Sequence, residues 1–116
     1  MARKKLDTLT EPMYYVLLSL VEERHGYGIM QYVSQLTRDQ VAIGAGTLYA
    51  LLARFEKDGL IRRTGERENR KYYRLTLEGH RVLSAEFDRL RRQVADGERA
   101  LNRAVSGMDD QQKEGF

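Results

Sequence analysis

Cysteine is absent from the 116 residues, so the chain has neither a disulfide framework nor a thiolate metal site. The two histidines, His25 and His80, stand far apart and share no metal-ligand spacing. No apolar run reaches the roughly 20 residues that cross a bilayer. The longest nearly apolar stretch, Met13 to Val21, also lacks the small-residue cleavage site of a secretory signal. Nothing sets a nucleophile beside its base. Val41 to Tyr49 contains a Gly-x-Gly turn, but Tyr49 sits where a dinucleotide fingerprint needs a small residue, and repeated strand–helix crossovers are missing. These absences lead us to expect no enzyme, no metal, no cofactor, no membrane partner and a cytoplasmic location.

What is present is a charge asymmetry. The formal net charge is only +3, yet Arg62, Arg63, Arg67, Arg70, Lys71 and Arg74 crowd one stretch against Glu66 and Glu68. Arg3, Lys4 and Lys5 make residues 1–9 a basic arm. Asp109, Asp110 and Glu114 lead us to expect a disordered acidic tail over 109–116. A basic cluster of this kind fits an anionic partner.

Helical spacing organises the rest. Thr10 offers an N-cap hydroxyl, Glu11 and Pro12 suit a first turn, and Met13, Val16, Leu17, Leu20 and Val21 line one face. Arg24-His25-Gly26 breaks the pattern. A second helix is expected over about Tyr27–Leu36, burying Ile29, Met30, Val33 and Leu36. A third over about Ala45–Asp58 has Leu48, Leu51, Leu52 and Phe55 inward and stops at Gly59. Two short strands follow, about Leu60–Thr64 and Lys71–Leu75, joined by a basic loop around Glu66–Asn69, with Tyr73 and Leu75 inward. Thr76 is placed to cap a last helix. Helix, helix, helix, strand, strand is the order of a winged helix-turn-helix. The expected class is mainly α (α+β), with the DNA-binding domain at 10–76 and a long dimerisation helix at 77–108.

The third helix occupies the recognition position. At 100° per residue its outward face carries Gly46, Ala50, Ala53 and Lys57, flanked by Tyr49 and Arg54, with Thr47 near the first turn. Small residues allow close approach to a groove and contact with a thymine methyl, but not bidentate base readout. The DNA-contact candidates are therefore Thr47, Tyr49, Arg54 and Lys57 on the helix, with Arg67, Arg70 and Lys71 on the hairpin reaching phosphates or the minor groove.

The last helix repeats Leu83, Phe87, Leu90, Val94, Gly97, Leu101, Ala104 and Met108 by fours and threes. This a/d seam asks for the same helix of a second chain, so Leu83, Phe87, Leu90, Val94 and Leu101 are expected at a twofold homodimer interface. Gly97 marks a kink or close crossing.

His25-Gly26-Tyr27-Gly28, Gly46-Thr47-Leu48-Tyr49, Asp58-Gly59-Leu60, Arg70-Lys71-Tyr72-Tyr73-Arg74-Leu75-Thr76 and Glu78-Gly79 together resemble the PadR family of bacterial transcriptional regulators, in its short subfamily with one C-terminal helix. The likeness covers about Leu9 to Val94. It implies a homodimeric repressor that binds a palindromic operator in double-stranded DNA, uses Tyr49 and the wing basics for contact, and responds to a small-molecule effector. The chain has no tryptophan, the residue on which some drug-sensing relatives stack planar ligands. An effector pocket is expected between the last helix and the partner's first helix, with Tyr14, Tyr15, Phe87 and Leu90 as lining. A winged helix serving as a protein-interaction adaptor, its basic wing against an acidic protein, is the alternative reading.

Overall fold

In the computed structural model, helix α1 (Glu11–Ser19) begins where Thr10 caps it: the Thr10 hydroxyl accepts from the Met13 N–H at 3.4 Å. Backbone is described for residues 8–113 and side chains for residues 8–108, so Arg3, Lys4 and Lys5 of the expected arm lie outside the described residues. Arg24–His25, expected only as a break, form a short strand β1 pairing antiparallel with Tyr72 and Tyr73. Helix α2 (Gly26–Leu36) is capped by His25, whose Nδ1 accepts from the Gly28 N–H at 3.1 Å. Thr37 then ties the connection to α3: its hydroxyl donates to the Val33 carbonyl at 2.8 Å and accepts from the Val41 N–H at 3.0 Å.

Helix α3 (Ala45–Lys57) ends at Asp58 and Gly59, the latter at φ +77°, a left-handed conformation that glycine adopts without strain. Strands β2 (Ile61–Arg67) and β3 (Arg70–Leu75) make an antiparallel hairpin, and the sheet order is β1-β3-β2. The hairpin is longer than its apolar pattern suggests. Glu68 and Asn69, at φ 53° and 63°, form a two-residue left-handed turn that lets Arg67 pair with Arg70. A register shift between Arg63 and Gly65 leaves Thr64 as the extra residue of a bulge.

The core gathers Val16, Leu17 and Leu20 of α1, Ile29 and Val33 of α2, Leu48, Leu52 and Phe55 of α3, and Leu60, Ile61, Tyr73 and Leu75 of the hairpin. Leu36, expected inside, is exposed at the end of α2. Helix α4 (Leu77–Lys113) starts on Thr76, whose hydroxyl accepts from the Gly79 N–H at 3.0 Å and donates to the Gly59 carbonyl at 2.6 Å.

The first compact unit runs to Glu86. This corrects one expected interface residue: Leu83 is 6% exposed and belongs to the core of its own chain. The first turns of α4 pack so closely on that core that a Cβ at Gly79 would overlap the Leu60 carbonyl oxygen. The a/d repeat therefore begins as an intramolecular face.

In the second unit, from Phe87 onward, α4 continues as helix through Gly97 to Lys113, five residues past the boundary expected at 108; residues 114–116 lie outside the described residues. There Phe87, Val94, Leu101, Val105 and Met108 are exposed and Leu90 is half-buried.

Candidate nucleic-acid interface

Helix α3 presents Gly46, Thr47, Tyr49, Ala50, Ala53 and Lys57 to solvent, the face that its 3.6-residue period predicts. Gly44 caps it without a side-chain hydrogen bond, so among the described residues no side chain caps its first-turn N–H groups. Tyr49 is 54% exposed and lies across Gly26 of α2. A Cβ at Gly26 would stand 2.5 Å from the Tyr49 hydroxyl, so the glycine is what lets this ring cross. Arg54 is half-exposed and faces Asp58 at 3.8 Å, one helical turn on, which restrains its guanidinium in the free chain.

The hairpin supplies exposed Arg62, Arg63, Arg70, Lys71 and Arg74. Arg67 is differently held. Its guanidinium lies 3.7 Å from the centre of the Tyr72 ring and 3.5 Å from the Glu23 carboxylate. Glu23 also accepts the Thr64 hydroxyl at the bulge. That hydrogen bond, ahead of the Arg67 charge, keeps the Glu23 carboxyl below its ordinary range. Arg67 is thus tethered to the segment before β1, whereas Arg70 and Lys71, on the other side of the turn, have no ion pair with a carboxylate among the described residues.

Arg70 and Lys71 meet Tyr49 at a cavity of about 310 Å³. His25, Tyr27 and Asn69 complete its rim, and none of its lining side chains is a carboxylate. The fold thereby brings together three expected contact residues from α3 and the wing. It adds His25, which the sequence marked only as the residue before a helix. Burial, with the Arg70 charge second, pushes the His25 pKa down and favours the neutral ring.

Elsewhere, Tyr14 and Tyr15 pack edge to face at 5.5 Å and line an open cleft of about 440 Å³ with Glu11, Leu18, Leu36 and Val41. Burial, then Tyr15 and Glu86, pushes the Tyr14 phenol above its usual range. Phe87 and Leu90, expected beside these tyrosines, belong to the second unit. Among the described residues, no group of His, Asp or Glu is placed to hold a metal ion, and no helix is long and apolar enough to cross a membrane.

Residues 16–85, more than half of the chain, match the transcriptional regulator PadR-like family. The chain belongs to that family. A PadR family transcriptional regulator from Eggerthella lenta is 33% identical, with a TM-score of 0.59 over 74% of this chain and 72% of that one. A PadR family transcription regulator from hypervirulent Clostridium difficile is 27% identical, with a TM-score of 0.63 over 77% of this chain and 97% of that one. An uncharacterised protein of Lysinibacillus sphaericus is 38% identical over 71 residues, 58% of this chain. The match spans 65% of that protein's length. The chain thus carries the winged-helix fold of a transcriptional regulator family.

Proposed function

We propose that this PadR-like chain is a cytoplasmic homodimeric repressor that binds a palindromic operator and changes its DNA affinity when a small molecule binds. The observation that carries the DNA reading is the convergence of Tyr49 on α3 with Arg70 and Lys71 on β3 around one carboxylate-free cavity. Helix α3 enters the major groove, where Thr47, Tyr49 and the small face of Ala50 and Ala53 meet base edges and thymine methyls. Arg54 and Lys57 contact phosphates beside it. The wing positions the protein through Arg70 and Lys71, with Arg67 joining once its Glu23 partner is displaced. Dimerisation rests on the exposed apolar face of Phe87, Val94 and Leu101 with half-buried Leu90. Effector binding rests on the cleft at Tyr14 and Tyr15.

Paired titrations test the division of roles. Lys71→Ala weakens operator and random DNA alike and flattens the slope of log affinity against log salt by about 0.9, the signature of one lost phosphate contact. Tyr49→Ala costs more on operator than on random DNA. Equal proportional losses for both variants on both DNAs overturn this assignment.

A further inference from the structure

The His25 ring has one proton to place when neutral, and the structure says where. Nδ1 accepts from the Gly28 N–H at 3.1 Å as the cap of α2, so the proton sits on Nε2. The atom facing Nε2, at 3.2 Å, is Nη1 of Arg70. A guanidinium only donates. Two N–H donors therefore face each other on the rim of the cavity. The Tyr72 and His25 rings pack perpendicular to each other with centroids 5.2 Å apart. Lys71 adds a further cation to the lining, and Tyr49 adds a hydroxyl that lies against Gly26, next to His25.

We infer that this cavity is the seat of one DNA phosphodiester, its oxygens bridging the His25 Nε2–H and the Arg70 guanidinium while Lys71 and Tyr49 hold the remaining edge. The inference rests on the DNA-binding reading above and adds His25 as a neutral contact. An anionic oxygen satisfies both converging donors at once, and the side chains come from the start of α2, from α3 and from β3. A single phosphate seated there locks the wing to the recognition helix and fixes the register in which α3 meets the groove. A neutral donor contributes a hydrogen bond to the phosphate without releasing a counterion, which separates His25 from the arginines by measurement.

The test uses the full chain and a random-sequence duplex. His25→Asn keeps an excellent N-cap for α2, so its thermal midpoint stays near that of the parent. It removes the Nε2–H and lowers affinity by about tenfold, in keeping with a hydrogen bond to a charged group. The salt slope stays unchanged, while Arg70→Ala flattens it by about 0.9. Imidazole nitrogen NMR on the parent chain provides the second measurement. It shows Nδ1 unprotonated and Nε2 protonated, with Nε2 shifting as duplex is added and staying in place with millimolar inorganic phosphate. A proton on Nδ1 overturns the inference, because Arg70 then donates to Nε2 and the pair is closed. Unchanged affinity of His25→Asn overturns it while leaving the DNA reading intact. Saturation by inorganic phosphate assigns the cavity to a free anion instead. Failure of the parent chain to bind any duplex removes both readings together.

Discussion

Leu90→Glu combined with Val94→Glu turns the protein into monomers. Each apolar side chain that loses a buried partner forfeits about 1.5–3 kcal/mol, and a homodimer counts every loss twice. Four such losses total about 6–12 kcal/mol, comparable with the roughly 8 kcal/mol that holds a micromolar dimer. Sedimentation then shows a single species at the mass of one chain. The winged-helix unit ends at Glu86, so far-ultraviolet circular dichroism still reports its helices. Operator affinity falls by roughly 10² or more, because each monomer reaches one half-site and the linkage between half-sites is gone. A dimer that survives both substitutions removes the α4 seam from the account. Leu83→Ala is the instructive contrast. Leu83 sits in the core of its own chain, so its truncation destabilises the fold by about 2–5 kcal/mol instead of dissolving the dimer.

The second large effect is at Gly79. Its place in the first turn of α4 brings it against backbone, the Leu60 carbonyl, which no rotamer change can clear. Gly79→Ala forces the helix off the hairpin and, as overpacking does, costs about 3 kcal/mol or more. At about 4–8 °C per kcal/mol for a domain of this size, the thermal midpoint drops by roughly 12 °C or more. The displacement also breaks the Thr76 cap, which joins Gly59, Thr76 and Gly79. Gly46→Ala is the control. Gly46 lies in a helix with nothing within 4 Å of an added Cβ, so alanine there gains about 0.5–1 kcal/mol. A midpoint for Gly79→Ala equal to the parent's contradicts the packing described for α4.

The sequence made the caps and the recognition helix readable because their signals are local. Thr10, Gly59 and Thr76 act within a few residues of themselves, and the apolar faces of α1 and α3 repeat at 3.6 residues. Strand β1 was hidden because Arg24 and His25 carry no alternation; they are a strand only through pairing with Tyr73 and Tyr72. The length of the wing was hidden too, since Glu66 and Arg67 read as loop until the left-handed turn at Glu68–Asn69 extends the ladder. Periodicity also cannot say which body covers a helix face. The a/d repeat is continuous from Leu83 to Met108, yet Leu83 is covered by its own chain. At the candidate site the cations and Tyr49 were visible as residue types. The tether of Arg67 to Glu23 and the facing of His25 by Arg70 join residues more than forty positions apart, and no local pattern records them.

Under the proposed function a dimer binds DNA sequence-specifically, reading through α3 and positioning through the wing. Competition between duplexes tests it most directly. The purified chain is incubated with fragments of the DNA around its own gene, the best-bound fragment is isolated, and that fragment is titrated against bulk DNA at physiological salt. The protein is expected to prefer, by about 10³-fold or more, a fragment carrying a near-palindrome with half-sites about one helical turn apart. Equal affinity for every fragment, or no binding to any, contradicts it and leaves the basic wing to an acidic protein surface.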